Sequence, residues 1–180
     1  MLANLRALFG VVVDLVLLRR GPEHLPASPL LLAIVIAVFA AATLLVNDLT
    51  GMPGDHGLAL LAFEIIGTLL WFWLALQLSQ KRERFVQTMT GLFIVNAIIS
   101  PLSTPFAVPF LLQVQAEQSP SGILTLMVFG MLAWWVAASG NVIKTAFEWP
   151  WFAAILMLLA QKFSLQVAAV VMFGKAAAPA

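Results

Sequence analysis

Glu64 and Lys162 are the residues of this sequence whose surroundings demand a chemical explanation. Each lies inside a long apolar run, Glu64 within Leu58–Leu78 and Lys162 within Trp151–Phe173. A charged side chain in hydrocarbon costs at least about 2.5–3.5 kcal/mol, so it is expected to face other protein and to find a partner. An α-helix rises about 1.5 Å per residue and the hydrocarbon layer is about 30 Å thick. Glu64 follows Gly57 by seven residues, which places it roughly 10 Å below one boundary. Lys162 follows Pro150 by twelve residues, roughly 18 Å from the opposite boundary and so about 12 Å from the first. Asn96 follows Arg84 by the same twelve residues, and Gln161 adjoins Lys162. In the fourth apolar run that level falls at Gly130, where a missing side chain leaves room. A carboxylate, an ammonium and amides at one depth can form an ion pair that fixes helix register. They can equally form a proton or ion relay, or a contact for a substrate. A further alternative is that the charges do not meet, either because Lys162 snorkels or because the fifth run divides at Gln161.

The elements that must position these residues are membrane spans. Of 180 residues, 62% are hydrophobic and only 9% are charged, against roughly 25% charged in soluble domains. A water-soluble fold could not cover itself with so little charge, so the chain reads as an all-α integral membrane bundle. It forms one membrane domain over residues 1–180. Its net charge of +1 suggests no nucleic-acid partner. The absence of cysteine excludes disulfides, thiolate catalysis and Cys-based metal sites. The start does not resemble a signal peptide, because Asp14, Arg19 and Arg20 stand where cleavage would fall.

Residues 2–18 carry Leu2, Leu5, Phe9, Val12 and Val16 at helical spacing. This run is too short and too charged to span, and it reads as an amphipathic interfacial helix with Arg6, Asp14, Arg19 and Arg20 toward water. Gly21-Pro22 ends it. Ser28 then caps a new helix with Pro29 at its first position. Five spans follow at about 29–47, 58–78, 85–100, 123–140 and 151–173. In the first, Ala33, Ala37 and Ala41 form a small-residue stripe open to close helix approach. In the second, Leu60, Glu64, Gly67, Thr68, Trp71 and Ala75 share the face expected to point inward. The third meets Pro101, Pro105 and Pro109. Each proline removes a backbone donor, so the helix is expected to end or kink near Ser100, with an irregular or re-entrant extension to 112.

Seven of the nine basic residues fall on one side if Arg6, Arg19, Arg20, Lys81, Arg82, Arg84 and Lys144 are grouped. The positive-inside rule makes that side cytoplasmic, with the N-terminus inside and the C-terminus outside a bacterial inner membrane. Arg19, Arg20, Lys81, Arg82 and Arg84 form a basic flank that sets topology or docks anionic lipid headgroups, worth about 1 kcal/mol per residue. Asp55 beside His56 could ligate a metal, but two ligands in a loop do not make a site. Neither a metal nor a cofactor is expected. Trp71, Trp73, Trp134 and Trp135 read as core or lipid-facing, and Met127 and Met131 as packing.

The topology resembles that of bacterial Yip1-type membrane proteins. The residues that carry the resemblance are LPASPLLL (Leu25–Leu32) after a short amphipathic start, and RFVQTMTGLFIVNAIISPL (Arg84–Leu102) opening the third span. The DLYGP-like motif of eukaryotic members is not present, so no site residues carry over. The resemblance implies a non-enzymatic scaffold or adaptor that binds membrane lipids and another membrane protein or a second copy of itself. The alternatives are a small transporter or channel component using the Glu64/Lys162 layer, or an accessory subunit of a larger membrane complex.

Overall fold

The computed structural model describes residues 2–50 and 57–174, and all regular structure among them is helical. Six helices run in order: α1 Leu2–Val16, α2 Pro29–Thr50, α3 Gly57–Leu78, α4 Phe85–Gln115, α5 Gly122–Phe147 and α6 Trp151–Phe173. Short 3-10 turns precede α2 at Pro22–His24 and α4 at Arg82–Arg84. Five helices, α2 to α6, are long and apolar enough to cross a membrane. The chain is a multi-pass membrane protein preceded by a short amphipathic helix.

Helix α4 is the centre of the bundle, packed against α1, α2, α3 and α5. Every residue from Thr88 to Val95 is buried, so this stretch has no outward face. Helix α6 closes the arrangement by packing on α5 and α3. Ser28 caps α2 as expected, its Oγ accepting from Leu31 N–H at 3.3 Å. Ser121 does the same for α5, accepting from Leu124 N–H at 3.3 Å. Ala33, Ala37 and Ala41 are exposed on the surface of α2.

Three sequence expectations are corrected. First, the third span does not end near Ser100, because α4 continues through Pro101, Pro105 and Pro109 to Gln115. Spacing of four places the prolines close to one face, so the lost donors form a single stripe and the rest of the ladder persists. Hydroxyls add contacts beside it: Ser103 and Thr104 donate to Ser100 C=O at 2.8 and 3.0 Å. Second, the fourth span runs seven residues past Gly140, to Phe147. Asn141 and Lys144 are therefore helical rather than in a loop. Third, the last turn of α1 is covered on one side by the bundle, while Val13 and Leu17 stay exposed. Leu15 and Val16 are buried. The Val16 carbonyl accepts from Trp134 Nε1 at 2.9 Å, and Trp134 lies about 20 Å along α5 from its end at Phe147. Arg6 and Phe9, nearer the N-terminus, are exposed as an amphipathic face requires. Asp55, His56 and Lys175 lie outside the described residues.

The α1–α2 linker is threaded against α4 and α5. A Cβ on Gly21 would lie 2.7 Å from Thr145 Cγ2, and one on Gly91 would meet Val142 at 3.2 Å and Pro22 at 3.3 Å. The Pro22 ring cannot yield, so Gly91→Leu is predicted to lower unfolding stability in detergent by about 1–3 kcal/mol. Gly130 has open space around it, so Gly130→Leu is predicted not to destabilise and to gain up to about 0.8 kcal/mol from helix propensity. Equal midpoints for the two variants in thermal unfolding would contradict this packing.

Candidate functional site

Glu64 and Lys162 meet. Lys162 Nζ donates to Glu64 Oε1 at 2.8 Å, joining α3 to α6 near mid-bundle. Helix α6 is continuous through Gln161, which answers the alternative of two short pieces. Gln161 is buried, and its Nε2 donates to Thr68 Oγ1 at 3.0 Å. Thr68 stands one turn from Glu64, so two successive turns of α3 engage two successive residues of α6. A Cβ on Gly67 would lie 2.5 Å from Leu165 Cδ2, so glycine there makes room for the Leu165 side chain of α6.

Asn96 reaches the same level without touching either charge. Its Nδ2 donates to Leu92 C=O at 2.7 Å, and its Oδ1 accepts from Trp135 Nε1 at 3.1 Å. The Trp135 ring in turn lies 5.5 Å from Lys162 Nζ. That distance is within cation–π range, where attraction amounts to about 0.5–2 kcal/mol. Trp135 thus completes the layer on α5, where Gly130 had been expected. The correction follows from the true end of α5: counted from Phe147, the level of Asn96 and Lys162 falls at Trp135, and Gly130 is exposed. Thr68 lies on the face expected to point inward, whereas nothing in the sequence distinguishes Trp135, read there as core or lipid-facing, as a member of the layer.

The pair is not sealed. A cavity of about 460 Å³ opens beside it, between α2, α4 and α5. Its polar wall consists of Glu64, Lys162, Asn96, Thr43, Ser100 and Ser103. Its apolar wall is Phe39, Ile99, Val128, Met131 and Leu132. The side chains of Glu64 and Lys162 remain 39% and 34% exposed.

At the other end of the bundle the basic flank is largely consumed by internal contacts. The C-terminus of α5 leaves carbonyls without helical partners. Lys81 Nζ donates to Phe147 C=O at 2.9 Å, and Arg84 donates to Thr145 and Ala146 C=O at 3.1 and 3.2 Å. Both cations also hold Glu148, each at 2.6 Å. Positive side chains there complement the negative end of the helix dipole as well. Arg20 and Arg19 pair with Asp14 at 3.0 and 3.9 Å. Arg82 is exposed and makes none of these contacts. Four of the five basic-flank residues thus have protein partners, and Arg19 and Arg20 stay exposed beside theirs. Among the described residues no three metal-ligating side chains come together.

No protein-family model, curated protein or solved structure matches this chain. The Yip1-type resemblance gains no support from these comparisons, and the reading of the site rests on its own chemistry.

Hydrogen bonds from Lys81 and then Arg84 hold the Glu148 carboxyl below its ordinary value of 4.5. A depressed folded-state pKa contributes stability above the unfolded value that is lost as pH falls through the folded one. The stability difference between wild type and Glu148→Gln is therefore predicted to be constant near neutrality and to shrink as pH drops below 4.5. A pH-independent difference in thermal midpoint would contradict the clamp.

Proposed function

We propose that this chain is a non-enzymatic membrane protein that binds a small solute in the cavity beside Glu64 and Lys162, as a carrier or a component of one. The observation that carries the reading is that an ion pair in mid-bundle borders about 460 Å³ of open volume instead of being enclosed by side chains. Cavities of about 300–1,000 Å³ with apolar walls and a few convergent polar groups are the usual form of small-molecule sites. Intramembrane ionisable residues commonly mark the path of a substrate or ion. The basic end, with Lys81, Arg82 and Arg84, is proposed to face the cytoplasm of a bacterial inner membrane. The cavity then lies in the outer half of the bundle, with the N-terminus inside and the C-terminus outside.

Reconstituted protein tests this reading by solid-supported-membrane electrophysiology and a trapped pH dye, with pools of small organic solutes. The expected result is a solute-dependent current or pH change that falls at least about tenfold in Glu64→Gln, a loss equivalent to 1.4 kcal/mol. No response to any pool, together with stoichiometric co-purification of another membrane protein, would move the chain to the scaffold or accessory-subunit class.

A further inference from the structure

Taking the cavity as a solute site, the geometry points to its chemical class: we propose that it binds a small zwitterion bearing an apolar chain. The inference rests on the solute-site reading and adds the identity of the charges the site accepts.

The argument begins with charge conservation. Glu64 and Lys162 neutralise each other across 2.8 Å. A ligand carrying only a cation, whether it shares Glu64 with Lys162 or takes it, leaves one positive charge without a counter-charge in mid-bundle. A ligand carrying only an anion strands the carboxylate in the same way. Breaking an ion pair by satisfying one partner alone is the expensive outcome in a low-dielectric interior. A neutral polar solute leaves the pair intact but gains only uncharged hydrogen bonds. A zwitterion escapes both penalties. Its ammonium engages Glu64 and its anionic group engages Lys162, so one ion pair becomes two and no charge is left over.

The unused capacity of the two side chains fits this exchange. The contact engages Oε1 of the Glu64 carboxylate and one of the three N–H donors of Lys162. The Trp135 face at 5.5 Å from Lys162 Nζ offers a second partner to an ammonium. Trp135 is held in place because its own N–H is committed to Asn96. Thr43, Ser100 and Ser103 supply hydroxyls along the same wall. Beyond the charges, Ile99, Val128, Met131 and Leu132 offer a path for an apolar chain.

Two sources present this chemistry: a free aliphatic or aromatic α-amino acid, and the headgroup of a zwitterionic lipid entering from the side. Calorimetric titration of the full chain in a non-ionic maltoside separates them. One arm uses L-leucine with its two single-charge analogues, isopentylamine and 4-methylpentanoate. The other uses short-chain phosphatidylethanolamine. The expected result is that a zwitterion in one arm binds at least about tenfold tighter than either analogue, equivalent to 1.4 kcal/mol. Glu64→Gln and Lys162→Gln should each abolish that preference. Ser103→Phe, which fills the cavity away from the pair, should abolish binding while the thermal midpoint is kept. Should isopentylamine or 4-methylpentanoate bind as tightly as leucine, the zwitterion inference is overturned while the cavity remains a solute site. Should no probe in either arm bind, the zwitterion inference falls, and the response to the solute pools decides the solute-site reading separately.

Discussion

The 2.8 Å contact between Lys162 and Glu64 sets the register of α6 against α3. These two helices share only a modest contact, whereas α4 is packed on both sides by α2 and α5. The pair, the Gln161–Thr68 hydrogen bond one turn away and the Leu165 side chain seated over Gly67 together hold α3 against α6. Sliding α3 by one turn would leave a carboxylate and an ammonium unpaired inside a membrane, at a cost of at least about 2.5–3.5 kcal/mol each. Apolar packing alone tolerates such shifts more readily, because lipid tails are as apolar as leucine. The charges thus supply register where shape does not.

Around that layer the molecule divides in two. Toward the basic end, α4 is buried on all sides from Thr88 to Val95, the Gly21-Pro22 linker wedges between α4 and α5, and Lys81, Arg84 and Glu148 clamp the last turn of α5. Beyond Asn96 the same helix is only partly covered and the cavity begins. The polar layer thus stands where the densely packed part of α4 gives way to its partly covered part.

Much of this was legible in the sequence, and the reasons for success and failure are physical. Helix rise is constant, so counting from each boundary brought Glu64 and Lys162 to one depth although 98 residues separate them. The same count failed on α5 because Asn141 and Lys144 read as a polar loop. In the fold Asn141 donates to the Arg20 carbonyl and Lys144 lies over the Trp151 ring, so neither polar group ends the helix. The prolines of α4 failed as breakers because a long apolar helix has no better alternative for its backbone in a membrane. Helix ends also left little trace. Leu18, Gln80, Glu117 and Glu148 take φ between 55° and 60°, the left-handed conformation that usually announces itself as glycine. The basic flank was visible, but its tertiary targets, the carbonyls of α5, were not.

The most direct test of the account is whether water reaches the pair from one side only. The sequence contains no cysteine, so single substitutions can be probed in intact vesicles with a membrane-impermeant thiol reagent. Ser103→Cys lines the cavity, whereas Val95→Cys lies one residue before Asn96 and is fully buried. The account predicts that Ser103→Cys is modified from the face opposite Lys81 and Arg84, that Val95→Cys is inert from both faces, and that Glu64→Gln keeps this pattern. A Ser103→Cys as unreactive as Val95→Cys would mean a closed, dry bundle in which Glu64 and Lys162 serve packing alone.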